Sequence, residues 1–225
     1  LIRRARELNA EYFLIINPDT ILDERAVSEL IRILDSGNHL ASVSPKILTW
    51  KSDKIDTLGL ILKPGLRFFD YGQGQSELEI KPNIKLEPNI IGPSGAAGLF
   101  RMSALDRIRV DNQYFDERMF MYKEDCDLAY RLFLAGYKSQ LVSSALIYHD
   151  RSVHVGRPGL LGILKNRRTK SRSIRAWSFA NQNLLWKKHW RRQNLKNKII
   201  IFSLYLASHI WAILFERFLF NNSKK

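Results

Sequence analysis

The sequence predicts an α/β domain over residues 1–155, followed by a basic helical tail over residues 156–225. Helix-like and strand-like segments alternate along the first 150 residues, and short apolar runs among them are typical of strands buried on both faces of a parallel sheet. We therefore expect a mixed, mostly parallel sheet flanked by helices. Charge separates the tail: residues 1–150 hold 19 Lys and Arg against 21 Asp and Glu, whereas residues 151–225 hold 17 Lys and Arg and a single acid, Glu216.

The composition excludes several classes of protein. With 225 residues, of which 45% are hydrophobic and 26% charged, the chain is long enough to bury a sizeable core, and it is neither collagen-like nor wholly disordered. The only cysteine, Cys126, cannot form an internal disulfide. A disulfide-stapled secreted fold is therefore excluded.

The elements of the domain follow from periodicity and from turn residues. In chain order we predict a helix over 1–10, a strand over 12–16, a helix over 23–35, a strand over 41–45 stopped by Pro45, a hairpin around 60–69, an exposed loop to about 88, a return of the α/β pattern at 95–101, helices from 103 and over 124–135, and strands over 140–142 and 145–148. The tail adds aromatic residues among its basic ones. Its residues 199–215 carry no charge, and these 17 residues sit at the lower limit of the roughly 17–25 that span a bilayer.

Four small constellations are candidates for chemistry. Asp19 follows a buried strand, where open α/β sheets bind ligands, and its carboxylate suits a hard cation, although Asn-Pro-Asp is also an ordinary turn. Acidic residues at the start of the 124–135 helix include a candidate general base, although acids also favour helix N-termini. His149 at a strand end is a candidate metal ligand or a plain surface histidine. Small residues at 95–98 allow a ligand close to the backbone or tight packing.

The order of these motifs resembles family 2 glycosyltransferases of the GT-A (Rossmann-like) fold, in their bacterial rhamnosyltransferase-like branch. The resemblance covers roughly residues 1–190, and its most specific part is Glu-Asp-Cys-Asp-Leu at 124–128, followed by Arg131 and an Ala-Gly-Tyr. The roles it implies are a general base at Asp125, with Glu124 as the second candidate, and a metal site of Asp19 and His149. It also implies donor contacts from Asn17, Asp19, Gly95, Ala96 and Ala97.

The resemblance implies an inverting, divalent-cation-dependent (Mg²⁺ or Mn²⁺) transferase. Its donor would be a nucleotide sugar, and its acceptor a glycan or lipid-linked glycan of the bacterial surface. Members of the family begin with a strand and nucleotide-binding loops that this sequence does not show, so we expect the chain to lack the N-terminal part of the catalytic domain. An inactive fragment, or a membrane-associated assembly protein that keeps the fold, is the alternative.

The basic tail adds a partner to this picture. Lys, Arg and Trp beside an apolar segment favour an anionic membrane surface, with residues 199–220 either spanning the bilayer or lying on it. The resemblance implies that this surface is the cytoplasmic face of the bacterial inner membrane. A helix that merely packs on the domain is a second interpretation. Nucleic acid is a third and weaker one, because no recognised binding module accompanies the basic residues.

Overall fold

The computed structural model describes residues 1–76, 89–150 and 170–220, which form two compact units. Of the described residues, the first unit contains 1–61, 69–76, 89–116 and 125–150, and the second contains 62–68, 117–124 and 170–220. The predicted boundary near residue 155, and much of the predicted loop before residue 88, lie outside the described residues. Both stay predictions.

The described chain contains eight strands and six α-helices, numbered here in chain order. The strands are β1 (Tyr12–Ile16), β2 (Thr20–Leu22), β3 (Leu40–Thr49), β4 (Ile55–Thr57), β5 (Leu60–Lys63), β6 (Arg67–Asp70), β7 (Ala97–Arg101) and β8 (Lys138–His149). The helices are α1 (Ile2–Glu7), α2 (Ala26–Asp35), α3 (Met102–Ile108), α4 (Glu124–Leu134), α5 (Arg172–His189) and α6 (Leu195–Phe215). Short 3₁₀ turns follow α5 and α6, at Trp190–Arg192 and Arg217–Phe220.

Six of the strands form one sheet in the first unit, in the order β1-β7-β3-β8-β2, with β4 paired to β3. Only β3 and β8 run parallel; the other four pairs of this sheet are antiparallel. The fold is therefore mixed α/β, and the prediction of a mostly parallel sheet is wrong for the described residues. The apolar run that suggested it, β1, is an outer strand whose residues pack on both faces of the sheet but are only partly buried, and such packing does not fix strand direction.

The two longest strands were underestimated from the sequence. Pro45 was expected to end its strand, yet β3 continues to Thr49. The register between β3 and β8 shifts between Pro45 and Lys46, so the ladder accommodates the proline at an irregularity. Likewise β8 is one strand of 12 residues where two short ones were predicted. The hairpin predicted at 60–69 is present as β5 and β6.

Helices cover the sheet through fully buried side chains. The amphipathic helix α2 inserts Ala26, Leu30 and Leu34 into a core that includes Val43 and Ile147, all of them fully buried. Helices α1, α3 and α4 share a second cluster that contains Ile2, Leu105, Leu128 and Leu132. The apolar periodicity of each helix thus fixes which side faces the sheet.

A buried ion pair within α4 orients an arginine that links this helix to the end of α3 and to the segment after it. Asp127 is fully buried, and its Oδ2 lies 2.8 Å from Nε of Arg131, one helical turn later. The same guanidinium donates to the carbonyl oxygens of Ile108 (2.9 Å) and Tyr114. Arg131, which sequence inspection treated only as part of a motif, is therefore a structural anchor of this unit.

The second unit consists of α5, α6 and the tip of the β5–β6 hairpin. Phe179 contacts His209, and Trp186, which lies later in α5, contacts Tyr205, which lies earlier in α6. The two helices therefore run antiparallel. The hairpin tip joins them, because Trp186 Nε1 donates to the Gly65 carbonyl (2.8 Å) and the Gly65 N–H donates to Asn197 Oδ1 (2.6 Å). Within the described residues, α6 is the one helix long and apolar enough to cross a membrane.

Removing the charge of Asp127 should destabilise the first unit strongly. In Asp127→Asn the guanidinium of Arg131 stays nearly buried without its counter-charge, and we expect a loss of about 3–5 kcal/mol in the free energy of unfolding. Urea denaturation of the purified chain measures this change. The matched variant Glu7→Gln removes one partner of the exposed Arg4–Glu7 pair and should have a much smaller effect. Equal losses in the two variants would contradict the role given to the buried pair.

Candidate functional site

The sequence candidates gather at one edge of the six-stranded sheet. The β1 end, Ile16, pairs with the β7 start, Ala97, and the ends of β3 and β8 pair at Thr49 and His149. Antiparallel pairing brings the start of β2, Thr20, to the same His149. Because all of these strand ends share one edge, the Asn-Pro-Asp turn, the 94–96 loop and His149 belong to one region of the first unit.

The centre of this region is a histidine held between two carboxylates. His149 is buried, its Nδ1 lies 2.7 Å from Oδ2 of Asp56, and its Nε2 lies 3.2 Å from Oδ1 of Asp19. Asp56 is only 2% exposed, whereas the Asp19 side chain is 47% exposed. The inner carboxylate thus fixes the imidazole, and the outer one faces solvent beside Nε2.

Backbone hydrogen bonds fix the turn that carries Asp19. The carbonyl of Asp19 accepts the Asp150 N–H (2.9 Å), and Thr20 Oγ1 donates to the carbonyl of Asn17 (2.6 Å). The Asn17 N–H donates to the Ala96 carbonyl (2.9 Å), which ties the turn to the 94–96 loop. Asn17 therefore joins the two motifs through its main chain.

The Asp125 carboxylate is oriented by two backbone donors. Its Oδ2 accepts the Gly95 N–H (2.9 Å), and its Oδ1 accepts the Cys126 N–H (2.7 Å). An ionised carboxylate offers about four acceptor positions, so two remain for another donor. The side chain is only half-buried, which leaves it accessible.

The three small residues that were predicted to contact the sugar donor differ in solvent accessibility. Gly95 is half-exposed, whereas Ala96 is buried and Ala97 is fully buried as the first residue of β7. The Ala96 N–H is 3.3 Å from Ser94 Oγ, and its carbonyl accepts from Asn17, so both of its backbone groups are engaged. A contact between donor and backbone is therefore easiest at Gly95.

Glu124, the first residue of α4, directly follows a turn with a left-handed backbone conformation. Tyr122 and Lys123 both have positive φ angles, 70° and 73°, a backbone conformation that is unfavourable for residues other than glycine. Within the second unit, Nδ2 of the buried Asn181 donates to the carbonyls of Met121 (2.8 Å) and Tyr122 (2.7 Å). These bonds hold the strained turn, and Glu124 itself is half-buried.

Sequence reasoning missed two residues, Asp56 in the first unit and Asn181 in the second. Asp56 lies in a segment interpreted as irregular, 93 positions from the histidine that it orients. Asn181 lies in the tail, where basic and aromatic residues dominate the pattern. The sequence offered no clear signal for Asp56, because β4 reads Ile-Asp-Thr and the burial of all three residues is visible only in the structure.

The arrangement is suited to polar chemistry on a charged ligand. Asp56 and Asp19 lie at opposite nitrogens of the His149 ring, Nδ1 and Nε2. In the tautomer with the proton on Nδ1, Asp56 accepts that proton's hydrogen bond and the Nε2 lone pair is directed to the Asp19 side; imidazoles oriented by a carboxylate in this way are typical of metal ligands. Among the described residues, no group of three or more His, Cys, Asp or Glu side chains is placed to hold a metal ion. Asp19 and His149 thus offer two ligands, one carboxylate oxygen and one imidazole nitrogen.

Comparison with known proteins adds an independent observation. A segment of the chain is similar to a rhamnosyltransferase. Over 64 residues the chain is 44% identical to the N-acetylglucosaminyl-diphospho-decaprenol L-rhamnosyltransferases of two strains of Mycobacterium tuberculosis. The aligned segment covers 28% of this chain and 20% of each relative. No protein-family model matches the chain.

This similarity indicates a glycosyltransferase-like relationship for part of the chain. The relationship agrees in kind with the resemblance noted from the motifs. It leaves the roles of individual residues as predictions, because about four fifths of each relative lies outside the alignment.

Substitution by alanine should change stability differently at the two glycines of residues 95–98, Gly95 in the loop and Gly98 in β7. At Gly98 a Cβ would lie 2.3 Å from the ring of the buried Pro93, so Gly98→Ala should lower the free energy of unfolding by about 1–3 kcal/mol. At Gly95 the nearest atoms belong to Asp125, at 3.5–3.7 Å, an ordinary contact that should leave stability nearly unchanged. Urea unfolding of both variants tests the geometry, and a larger loss at Gly95 would contradict it.

Proposed function

We propose that this chain belongs to an inverting glycosyltransferase that moves a sugar from a nucleotide-sugar donor to a glycan or lipid-linked glycan. The observation that carries the proposal is the shared sheet edge, where a half-exposed, doubly anchored Asp125 belongs to the same region as the Asp19–His149–Asp56 group. The rhamnosyltransferase similarity of a 64-residue segment supports the reaction class. The GT-A type of fold is part of this proposal.

In the proposed reaction Asp125 is the general base. The acceptor hydroxyl gives its proton to a free acceptor position of the Asp125 carboxylate, and its oxygen forms the new bond to the anomeric carbon. The bond from that carbon to the diphosphate breaks, and the nucleoside diphosphate leaves with the electron pair. A single displacement inverts the anomeric carbon. Gly95 fixes the carboxylate through its N–H, so the base is oriented before the acceptor arrives.

A divalent cation, Mg²⁺ or Mn²⁺, fits the donor set at Asp19 and His149. A carboxylate oxygen and an oriented imidazole nitrogen suit either ion, and ions bound through few protein ligands commonly share their remaining positions with substrate phosphates. When bound, the cation supplies positive charge where the diphosphate leaving group gains negative charge. In this scheme Asp56 keeps Nε2 of His149 directed towards Asp19, and Asn17 holds the turn against the 94–96 loop.

The acceptor is proposed to be lipid-linked, and the protein to work at a membrane. The relatives' name specifies an acceptor built on diphospho-decaprenol, and the apolar helix α6 with its basic neighbours suits an anionic membrane surface. Both observations favour a membrane location, and the proposed nucleotide-sugar donor extends the proposal to the cytoplasmic face of a bacterial inner membrane. The competing function, a non-catalytic assembly protein with the same fold, would keep the membrane contact and lack transfer.

Replacing the proposed base should separate catalysis from binding. In Asp125→Asn the amide oxygen can still accept from one of the two backbone N–H groups, that of Gly95 or that of Cys126, whereas the NH₂ group accepts from neither. The amide cannot take the proton of the acceptor, so transfer should fall by about 10²–10⁴-fold. Donor binding, measured by calorimetry, should survive. Asp111→Asn, a change at an exposed carboxylate before α4, is the matched control. Equal loss of transfer and donor binding in Asp125→Asn would contradict the base assignment.

The cation site should depend on the buried Asp56 as well as on Asp19. Asp19→Ala should abolish the dependence of donor binding on Mn²⁺, and Asp56→Asn should weaken Mn²⁺ affinity by about 10–100-fold, because the imidazole loses its orientation. Calorimetry of nucleotide-sugar binding with and without Mn²⁺ measures both effects. Asp23→Asn changes a nearby exposed carboxylate and should leave them unchanged. An unaltered Mn²⁺ dependence in Asp19→Ala would remove that residue from the site.

A further inference from the structure

The helix α6 presents an apolar stripe to its surroundings. Ile199, Phe202, Leu206, Ile210 and Ile213 recur every three or four residues, and each is between 44% and 60% exposed. This apolar stripe therefore follows one side of the helix for almost its whole length. Soluble monomers rarely expose a continuous apolar surface of this kind unless it contacts a membrane or a partner.

The opposite side of α6 is engaged within the second unit by polar and aromatic contacts. Asn197 Oδ1 accepts the Gly65 N–H of the hairpin tip (2.6 Å), and the His209 ring contacts Phe179 of α5 with centroids 5.0 Å apart. Near the C-terminal end, Glu216 is buried and paired with Arg175, and Trp211 Nε1 donates to its second oxygen (3.2 Å). Both ends of the helix are thus fastened to α5 or to the hairpin tip.

The partner helix α5 is unsuited to hydrocarbon. It carries Arg172, Arg175, Lys187 and Lys188, together with a run of three amides at 181–183. If α6 crossed a bilayer with its contacts intact, α5 would be drawn in beside it, and charged side chains at membrane depth are strongly unfavourable. An orientation parallel to the membrane plane immerses the apolar stripe alone.

The basic residues around α6 indicate which kind of surface the apolar stripe contacts. Residues 170–220 contain ten Lys and Arg, and their single acid, Glu216, is already paired with Arg175. Six of the ten lie between residues 187 and 198, around the start of α6, and Trp190 is exposed among them. Basic residues and tryptophan beside an apolar stripe match anionic headgroups above acyl chains.

We propose that α6 lies in the plane of an anionic bilayer, with the apolar stripe in the acyl boundary and the basic segment 187–198 on the headgroups. This inference deepens the membrane association proposed above and is independent of the transfer chemistry. It excludes a transmembrane α6, although its 21 residues would be long enough to span.

Depth measurements along the stripe test the orientation. In the full chain carrying Cys126→Ser, single cysteines are introduced by Ile199→Cys, Leu206→Cys and Ile213→Cys and labelled with a small fluorophore. The chain is added to vesicles of phosphatidylcholine and phosphatidylglycerol in equal parts, which contain lipids brominated at shallow or deep positions. We expect shallow quenching of equal strength at all three sites. Deep quenching at 206 with shallow quenching at 199 and 213 would show a span and overturn the proposal.

Substitutions distinguish the lipid surface from a protein partner. Phe202→Ser combined with Ile210→Ser should weaken vesicle binding at least tenfold, whereas Ile21→Ser, the same change at an exposed isoleucine of β2, should not. Lys187→Gln with Lys188→Gln should reduce the preference for phosphatidylglycerol over pure phosphatidylcholine. Circular dichroism verifies that each variant is folded.

Two results would overturn the inference in different ways. If the unmodified chain fails to bind the anionic vesicles, the membrane association itself is wrong, while calorimetric donor binding still tests the transferase proposal separately. If the chain instead forms a dimer in analytical ultracentrifugation, and the double serine variant is monomeric, the apolar stripe is covered by a second copy rather than by lipid.

Discussion

The parallel pairing of β3 with β8 is the interaction on which the first unit depends. These are its two longest strands, and they run side by side to a common end at Thr49 and His149. β7, β4 and β2 pair with one or other of these strands, and β1 is added through β7. The pairing therefore determines which edge of the sheet collects His149, the Asn-Pro-Asp turn and the 94–96 loop. A change of register here would move every candidate residue.

The sequence predicted local structure better than it predicted arrangement. Tyr12–Ile16, the hairpin at 60–69 and the helix that begins at Glu124 appear at or near the predicted positions, because apolar periodicity and turn residues act over a few neighbours. Strand direction was not predictable in the same way. β1 and β7 are apolar runs that pair antiparallel although they lie far apart in the sequence, and the periodicity of each run carries no information on their relative direction. The prediction that the strand ends at Pro45 failed for a related reason, because the register shift that accommodates this proline depends on the pairing with β8.

The candidate site shows the same division. Asp19 and His149 were recognisable because each ends or follows a strand, and the structure places them in contact. Asp56 was not recognisable, because its importance comes from a histidine 93 positions away and from its burial, neither of which a local pattern reports. Asn181 was not recognisable for another reason. It donates to the backbone carbonyls of Met121 and Tyr122, and because every residue has such a carbonyl, no side-chain pattern marks its partners. Residues that position others are therefore the ones most easily missed.

The left-handed pair Tyr122–Lys123 links stability to the proposed chemistry. Two consecutive residues in this conformation cost on the order of 1–3 kcal/mol each, and the hydrogen bonds from Asn181 help to offset that cost. Glycine at either position would relieve the strain, so a search for stabilising substitutions would favour it. The same change would loosen the backbone immediately before Glu124 and Asp125. A variant stabilised in this way should therefore hold the carboxylates of Glu124 and Asp125 less firmly in position. Selection for activity should retain the strained turn.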